Sequence, residues 1–464
     1  MIFRTCFRAL VLSSILGGAI ALPARAQSLA DTMVAAYRDS ALMDQNRAVL
    51  RAADEDVASA IAQLRPVVQW IASHDVQQSE GGLTTRSTSL QIGAEMTLYD
   101  WGRSQLAIDS AKEQVMATRQ ALVNVEQNVL LDATASFFEV RRATEQVALQ
   151  QNSVGVLSRE RQAAQDRFDV GEITVTDVAL ADAQLAATQA ALASAQGQLE
   201  IAREGYLAAT GRKPTGLSAP PPLPKLPASV NAARAIAQKN HPAILQAQRQ
   251  AAAAELGVAA AAAERNPTLS GNLGVGVTRS PSTFSGVYDN RATASIGVQL
   301  NQTIYSGGRL PSAQRKAMAA RDQARAALLN TSRQISQQVG EAWANIQVAR
   351  AQIGAIDQQI TAAQQAYEGV REEALLGART TLDVLDSEQS LLQARADKIT
   401  AESNLQLAHY QLLAAMGLLT VENLKLGIPT YDPSQYYNAV RDAPYTSKQG
   451  ESLDRVLRAI GRKQ

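Results

Sequence analysis

Between positions 89 and 98 apolar and polar residues alternate strictly, with Leu90, Ile92, Ala94, Met96 and Leu98 opposing Ser89, Gln91, Gly93, Glu95 and Thr97. A period of two is the mark of a strand with one apolar face. The same pattern returns where Ala292, Ala294, Ile296, Val298 and Leu300 oppose Arg291, Thr293, Ser295, Gly297, Gln299 and Asn301. Looser alternation precedes each run, in 66–73 and 267–278. Four strands are therefore expected, at 66–75, 87–99, 267–279 and 291–305, joined in pairs by polar loops at 75–86 and 279–290. Alternation alone fits two arrangements, a soluble antiparallel sheet with one solvated face and strands that cross a bilayer. Runs of about ten residues suit a tilted crossing. Four strands cannot close a barrel, for which about eight are the practical minimum, so a membrane reading requires copies of the chain to pool their strands.

After each strand pair the period changes. The chain becomes rich in Ala, Leu, Gln, Arg and Glu, with few breakers before Gly171 or Gly377, and such composition favours helix. Sixty to seventy helical residues extend about 100 Å, longer than a compact domain is wide. Apolar positions recur every seven residues: Ile108, Val115, Leu122 and Val129, then in a shifted phase Val140, Val147 and Val154. In the second stretch Ile346, Ile353, Ile360 and Tyr367, with Ala349, Ile356, Ala363 and Val370, fill both seam positions of a heptad. Beyond Gly171 and Gly377 an Ala-rich helix returns toward Gly211 and Gly417. A dimeric coiled-coil rod would account for these helices and leave the strands unexplained.

The two halves also match residue by residue. Thr97, Tyr99, Gly102 and Arg103 stand 206 positions before Thr303, Tyr305, Gly308 and Arg309, and the offset persists from Gly171, Thr174, Asp177 and Val178 to Gly377, Thr380, Asp383 and Val384. It still holds at Leu207 and Gly211 against Leu413 and Gly417. Self-similarity at one fixed offset marks a duplicated unit, here 27–217 and 228–423. Between them 213–228 carries Pro214, Pro220, Pro221, Pro222, Pro224 and Pro227, an extended linker. Each unit is expected to be a long antiparallel helical hairpin plus a two-stranded β-hairpin, giving a mainly α chain with a transmembrane β portion and a C-terminal tail at 424–464.

Residues 1–26 place Arg4 and Arg8 before an apolar run and end on Ala24, Arg25 and Ala26, the layout of a secretory signal peptide. Cys6, the single cysteine, falls within it, so no disulfide is expected. Removing the leader leaves 41 basic against 43 acidic residues, a net charge near −2 that does not indicate nucleic-acid binding. No later segment approaches the roughly 20 apolar residues of a membrane helix, so any spanning part is β. The three histidines, His74, His241 and His409, fall on unrelated elements and offer no metal site, and His241 before Pro242 reads as a helix-entry turn. Gly274 and Gly276 lie inside an alternating strand without the Lys and Ser or Thr of a phosphate loop. No nucleophile with its base and orienting acid can be assembled, so neither catalysis nor a cofactor is expected. Trp70, Tyr99, Trp101 and Tyr305 fit either membrane-interface anchoring or packing at the strand-to-helix junction.

Gly377, Ala378, Arg379, Thr380, Thr381, Leu382, Asp383, Val384, Leu385 and Asp386 resemble the hairpin-tip signature of the TolC-type outer-membrane efflux and secretion channels. Residues 171–178 resemble its first-repeat counterpart, and the resemblance covers nearly the whole mature chain. It implies a homotrimer whose twelve strands form a β-barrel in outer-membrane lipid and whose twelve helices continue as an α-barrel across the periplasm. It further implies a passive exit duct served by a periplasmic adaptor and an inner-membrane pump of RND or ABC type. Tyr431, Asp432, Pro433, Tyr436 and Tyr437 resemble a segment frequent among members tied to type I protein secretion, and Ala374 stands where the best-known members have a tyrosine.

On this resemblance the tips at Gly171, Thr174, Gly377 and Thr380 are expected to meet the adaptor, and Thr176, Asp177, Arg379, Asp383 and Asp386 to form the periplasmic gate. Thr174 with Asp177, and Thr380 with Asp383, also match capping-box spacing, so Asp177 and Asp383 carry two readings. Capping does not account for Asp386 or Arg379, whose first-repeat counterparts are Leu180 and Ile173. Threefold symmetry would gather Asp383 and Asp386 into a ring of six carboxylates selective for cations, with Arg379 latching onto Asp177 or the Thr176 region of a neighbouring hairpin. The competing function class is a periplasmic coiled-coil adaptor or scaffold that spans no membrane; it needs one hairpin and no strands, whereas the chain carries two of each.

Overall fold

The computed structural model describes residues 26–78, 84–281, 287–441, 452 and 455. The expected leader lies outside them apart from its last residue, as does most of the tail after Arg441. Ser28 and Ser40 open the first two helices, α1 (Leu29–Asp39) and α2 (Ala41–Ala62), each hydroxyl accepting a backbone N–H three residues ahead. The strands β1 (Val67–Gln78) and β2 (Thr84–Tyr99) follow, then a helix of 67 residues, α3 (Arg103–Asp169), and its return, α4 (Val175–Thr210). The order then recurs: α5 (Val230–Asn240), α6 (Pro242–Ala263), β3 (Thr268–Pro281), β4 (Tyr288–Asn301), α7 (Arg309–Leu375, again 67 residues) and α8 (Thr381–Ala415). A short α9 (Pro433–Val440) ends the described chain. The short helices α1, α2, α5, α6 and α9 were not among the sequence expectations, because Ala-rich stretches of one to six turns carry too little seven-fold signal. His241 does cap α6, its Nδ1 accepting the Ala243 N–H at 3.2 Å.

The four strands form one antiparallel sheet in the order β1-β2-β3-β4, so the seam β2–β3 joins the two halves while β1 and β4 keep free edges. Pairing sets Trp70 beside Ile92, Ile92 beside Val275, and Leu273 beside Ile296. These side chains share one face, and it is bare: Trp70 is 71% exposed, Ile92 53%, Val275 51% and Ile296 86%. The opposite face pairs Gln69 with Gly93, Glu95 with Asn272, and Gln91 with Gly276, all small or polar. The strands outrun the expected limits at the loop ends, β1 to Gln78, β2 from Thr84, β3 to Pro281 and β4 from Tyr288. Their outer turns are mostly polar, with Val76 and Tyr288 too isolated to mark an alternation. At the other end β4 stops at Asn301 rather than reaching 305, because β3 offers no partner beyond Thr268, whereas β2 continues to Tyr99 through a bulge opposite Ser270 and Leu269.

The two strand-to-helix junctions differ. Trp101 adopts a left-handed φ of 53°, with its ring edge-on to Tyr99 at 4.8 Å, and the Asp100 carboxylate accepts N–H groups from Gly102 and Ser104. At the second junction Gly307 (φ 59°) and Gly308 (φ 89°) take these turns with open space around them.

The long helix α3 is the spine, packed on α1, α2, α4, α6 and α8, while α7 packs on α5, α6 and α8. The α3 heptad is buried at Ile108, Val115, Leu122, Val129, Val140 and Val147, and Phe137, Phe138 and Tyr410 stack where α3 meets α8. In α7 only Ile346 and Ala349 of the expected seam are buried; Ile353, Ile356, Ile360, Ala363, Tyr367 and Val370 are half-buried, because one chain covers only one side of that stretch. The Pro-rich segment is extended but fastened: Leu217 bridges to Gln27, and the Ser218 carbonyl accepts from Arg141 at 2.6 Å.

Gly417 shows how tightly α8 ends on the α5–α6 turn. Its φ is 77°, and a Cβ there would stand 2.7 Å from His241 Cα and 2.8 Å from the Asn240 carbonyl oxygen. Gly102 has a comparable φ of 84° and open space. Both alanine variants incur the left-handed penalty of about 1–2 kcal/mol, and Gly417→Ala adds a clash with backbone that cannot yield. Thermal melts of the detergent-solubilised protein are expected to place Gly417→Ala clearly below Gly102→Ala.

Candidate functional site

Both helical hairpins end in tight tips built alike. At the first, Gly171 at φ 82° turns the chain after α3, its N–H donating to the Phe168 carbonyl at 2.9 Å. Thr174 then caps α4, its N–H and hydroxyl donating to Asp177 Oδ2 at 3.0 and 2.7 Å. At the second, Gly377 at φ 78° donates to the Ala374 carbonyl at 3.1 Å, and Thr380 caps α8 with bonds to Asp383 Oδ2 of 2.9 and 2.8 Å. The Asp383 N–H returns a bond to Thr380 Oγ1 at 3.3 Å. These bonds hold the Asp177 and Asp383 carboxyls below the usual carboxylate range. Of the two readings open for these aspartates, the chain displays capping.

Each tip is also closed by an ion pair, of opposite polarity. In the first, Arg167 near the end of α3 meets Glu172 beyond the turn at 3.2 Å. In the second, Glu373 stands at the position equivalent to Arg167 and meets Arg379 beyond the turn at 2.8 Å. Within the chain Arg379 therefore pairs with its own hairpin and bonds neither Asp177 nor Thr176, and its charge also acts on Asp383. Thr176 is exposed on the first turn of α4. Asp386 is exposed one turn beyond Asp383, and among the described residues its carboxylate has no hydrogen-bond or ion-pair partner. Around these charges the tips expose apolar side chains, with Val170 72%, Val175 66% and Leu376 86% exposed.

Above the tips three contacts tie the hairpins together: Glu160 to Arg371 at 3.4 Å, Gln184 to Gln389 at 3.0 Å, and a buried bond from the Ser153 hydroxyl to Glu388 at 3.0 Å. Burial pushes the Glu388 carboxyl up, against the Ser153 bond that lowers it. Sequence reasoning missed Glu388. Its signal was there, since it continues the buried stripe of Val384, Leu385, Leu391 and Leu392, where a carboxylate is out of place. Ala374, in the position of the family's tyrosine, is buried in α7 and has no hydroxyl to contribute.

No helix among the described residues is long and apolar enough to cross a membrane. The apolar face of the sheet, coupled to helices some 100 Å long, is instead that of an outer-membrane channel that extends into the periplasm. The chain belongs to the outer membrane efflux protein family, whose pattern it matches twice, over residues 35–212 and 234–418. It is 32% identical over 449 residues to the outer membrane efflux protein BepC of Brucella suis, covering 95% of this chain and 97% of that one. It is 24% identical over 388 residues to the outer membrane protein TolC of Escherichia coli, covering 80% and 78%. Among solved structures it resembles CusC, described as forming a transmembrane channel, with a TM-score of 0.75 at 19% identity over 85% of this chain and 92% of that one. The protein is thus a transport protein of the outer membrane, an exit duct for efflux or secretion.

The caps generate a pH dependence. A carboxyl held below its ordinary range stabilises the fold above that range, and the contribution is lost as pH falls through the lowered value. Protection of the amides in the first turns of α4 and α8, corrected for intrinsic exchange rates, is expected to fall below about pH 4. Thr380→Ala is expected to give several-fold faster exchange in α8 at neutral pH and to blunt the acid response.

Proposed function

We propose that three copies of this chain close their sheets into a twelve-stranded barrel in the outer membrane, and that their paired hairpins continue the lumen as a twelve-helix tube across the periplasm. The observation that carries this reading is the apolar sheet face exposed beside two unpaired edges. Lipid covers such a face, and hydrocarbon tolerates no unpaired edge. In this reading 1–26 is a cleaved leader, 27–217 and 228–423 are duplicated halves joined by the 213–228 linker, and 424–464 is a tail.

The tips form the periplasmic end. Exposed Val170, Val175, Leu375 and Leu376 around Gly171, Thr174, Gly377 and Thr380 suit docking by a periplasmic adaptor, which couples the duct to an inner-membrane pump of RND or ABC type. Asp386, free of local partners, lines the entrance with Asp383 and its symmetry copies. Arg379, held loosely by exposed Glu373, is free to exchange to Asp177 or Thr176 of a neighbouring hairpin and latch the closed state. The cargo is chosen by the pump.

Planar-bilayer recordings test these assignments separately. The wild-type assembly is expected to conduct weakly and to be blocked by trivalent cations from the tip side; Asp386→Asn should raise the blocking concentration several-fold. Arg379→Glu should increase conductance, and an unchanged small conductance would remove the latch while leaving the duct. A purified protein that stays monomeric and inserts into no bilayer would overturn the assembly itself.

A further inference from the structure

Asp54 lies on the face of α2 turned toward α3, between Leu50 and Val57, and is fully buried. Neither of its carboxylate oxygens accepts a hydrogen bond from the chain. A buried carboxylate without partners is costly unless it is neutralised by a proton or a cation. The cation whose charge acts on it is Arg119 of α3, yet that guanidinium lies over the ring of Tyr437 in α9, 5.4 Å from the centroid. Around this pair the C-terminal segment is clasped to the body of the protein. The Tyr436 hydroxyl donates to Glu55 at 2.9 Å, and Arg47 lies between the rings of Tyr37 and Tyr431 at 5.4 and 5.5 Å.

We propose that Asp54 is a proton-operated seat for this clasp, residues 431–440. With Asp54 neutral, Arg119 stays on Tyr437 and α9 is held; with Asp54 ionised, the carboxylate draws Arg119 off the ring and α9 loosens. The charged groups around the seat fit this exchange. Glu55 on the same helix opposes ionisation of Asp54, Arg119 on α3 favours it, and Asp432 at the start of α9 also acts on Arg119. Farther along, Arg47 acts on Glu126, which Glu422 opposes. Burial pushes the Asp54 carboxyl up to about 6, outweighing the pull of Arg119. A raised carboxyl stabilises the neutral arrangement below the ordinary range, and that stabilisation is lost as pH rises toward the raised value. The clasp is thus tight in acid and loose above about pH 6.

Hydrogen exchange of the α9 amides in the full detergent-solubilised protein, corrected for intrinsic rates, tests the seat. Protection is expected to fall roughly tenfold between pH 4.5 and 7.5, the scale of one pKa unit, and to remain high at both values in Asp54→Asn. Tyr437→Leu removes the ring and should leave α9 weakly protected with no pH response. Wild-type protection that does not change over this range overturns the proposal, as does a pH response that survives in Tyr437→Leu.

Discussion

Hydrocarbon offers a peptide group nothing to bond to, and that constraint governs the rest of this molecule. A four-stranded sheet with an apolar face can enter a bilayer only if the outward N–H and C=O groups of β1 and β4 find partners. No fifth strand among the described residues supplies them, and in the proposed assembly further copies do. Once the sheets close, the direction of each following helix is set, because α3 and α7 leave β2 and β4 through turns of only a few residues. The small and polar face of the sheet, with Gly93, Gly274 and Gly276 among Gln91, Glu95 and Asn272, is then the wall of a wet lumen.

The two tips illustrate how one backbone solution accommodates different chemistry. Both use a left-handed glycine and a threonine cap, and both close with an arginine–carboxylate pair across the turn. Reversing the polarity of that pair places Glu172 beyond the first turn and Arg379 beyond the second. In the proposed ring, alternating hairpins would carry opposite charges beyond their turns without any change of fold. Asp177 and Asp383 are held by cap bonds and serve local stability first, whereas the Asp386 carboxylate has no such bond among the described residues.

Much of this was legible in the sequence, and the omissions have physical causes. Strands announced themselves wherever one face was apolar, as at 89–98, and vanished where both faces were mostly polar, as at the outer turns of β1 and β3. The long helices were visible because a coiled seam repeats over many turns, whereas α5 and α9 are too short to establish a period. The α3 heptad is buried from Ile108 to Val147, as its spacing implied, while Val154 is half-buried. The lower α7 seam stays half-open because no other described part of the chain covers it. At the site, local spacing revealed the capping boxes. The Arg379–Glu373 pair is not legible in the sequence, because six residues across a turn match no helical spacing. Asp54 and Glu388 were invisible for a different reason, since only packing shows that a carboxylate on a long helix faces inward.

The unequal junctions between sheet and helices have a mechanical corollary. Asp100, Trp101 and Gly102 form a corner braced by carboxylate bonds and edge-on rings, while at the second junction the Ser306 hydroxyl accepts a backbone N–H of α7 and Gly307 and Gly308 turn in open space. Around a closed ring stiff and compliant couplings would alternate. In the proposed assembly, any rotation of the helices would reach the membrane cylinder more directly through the braced corners than through the glycine ones.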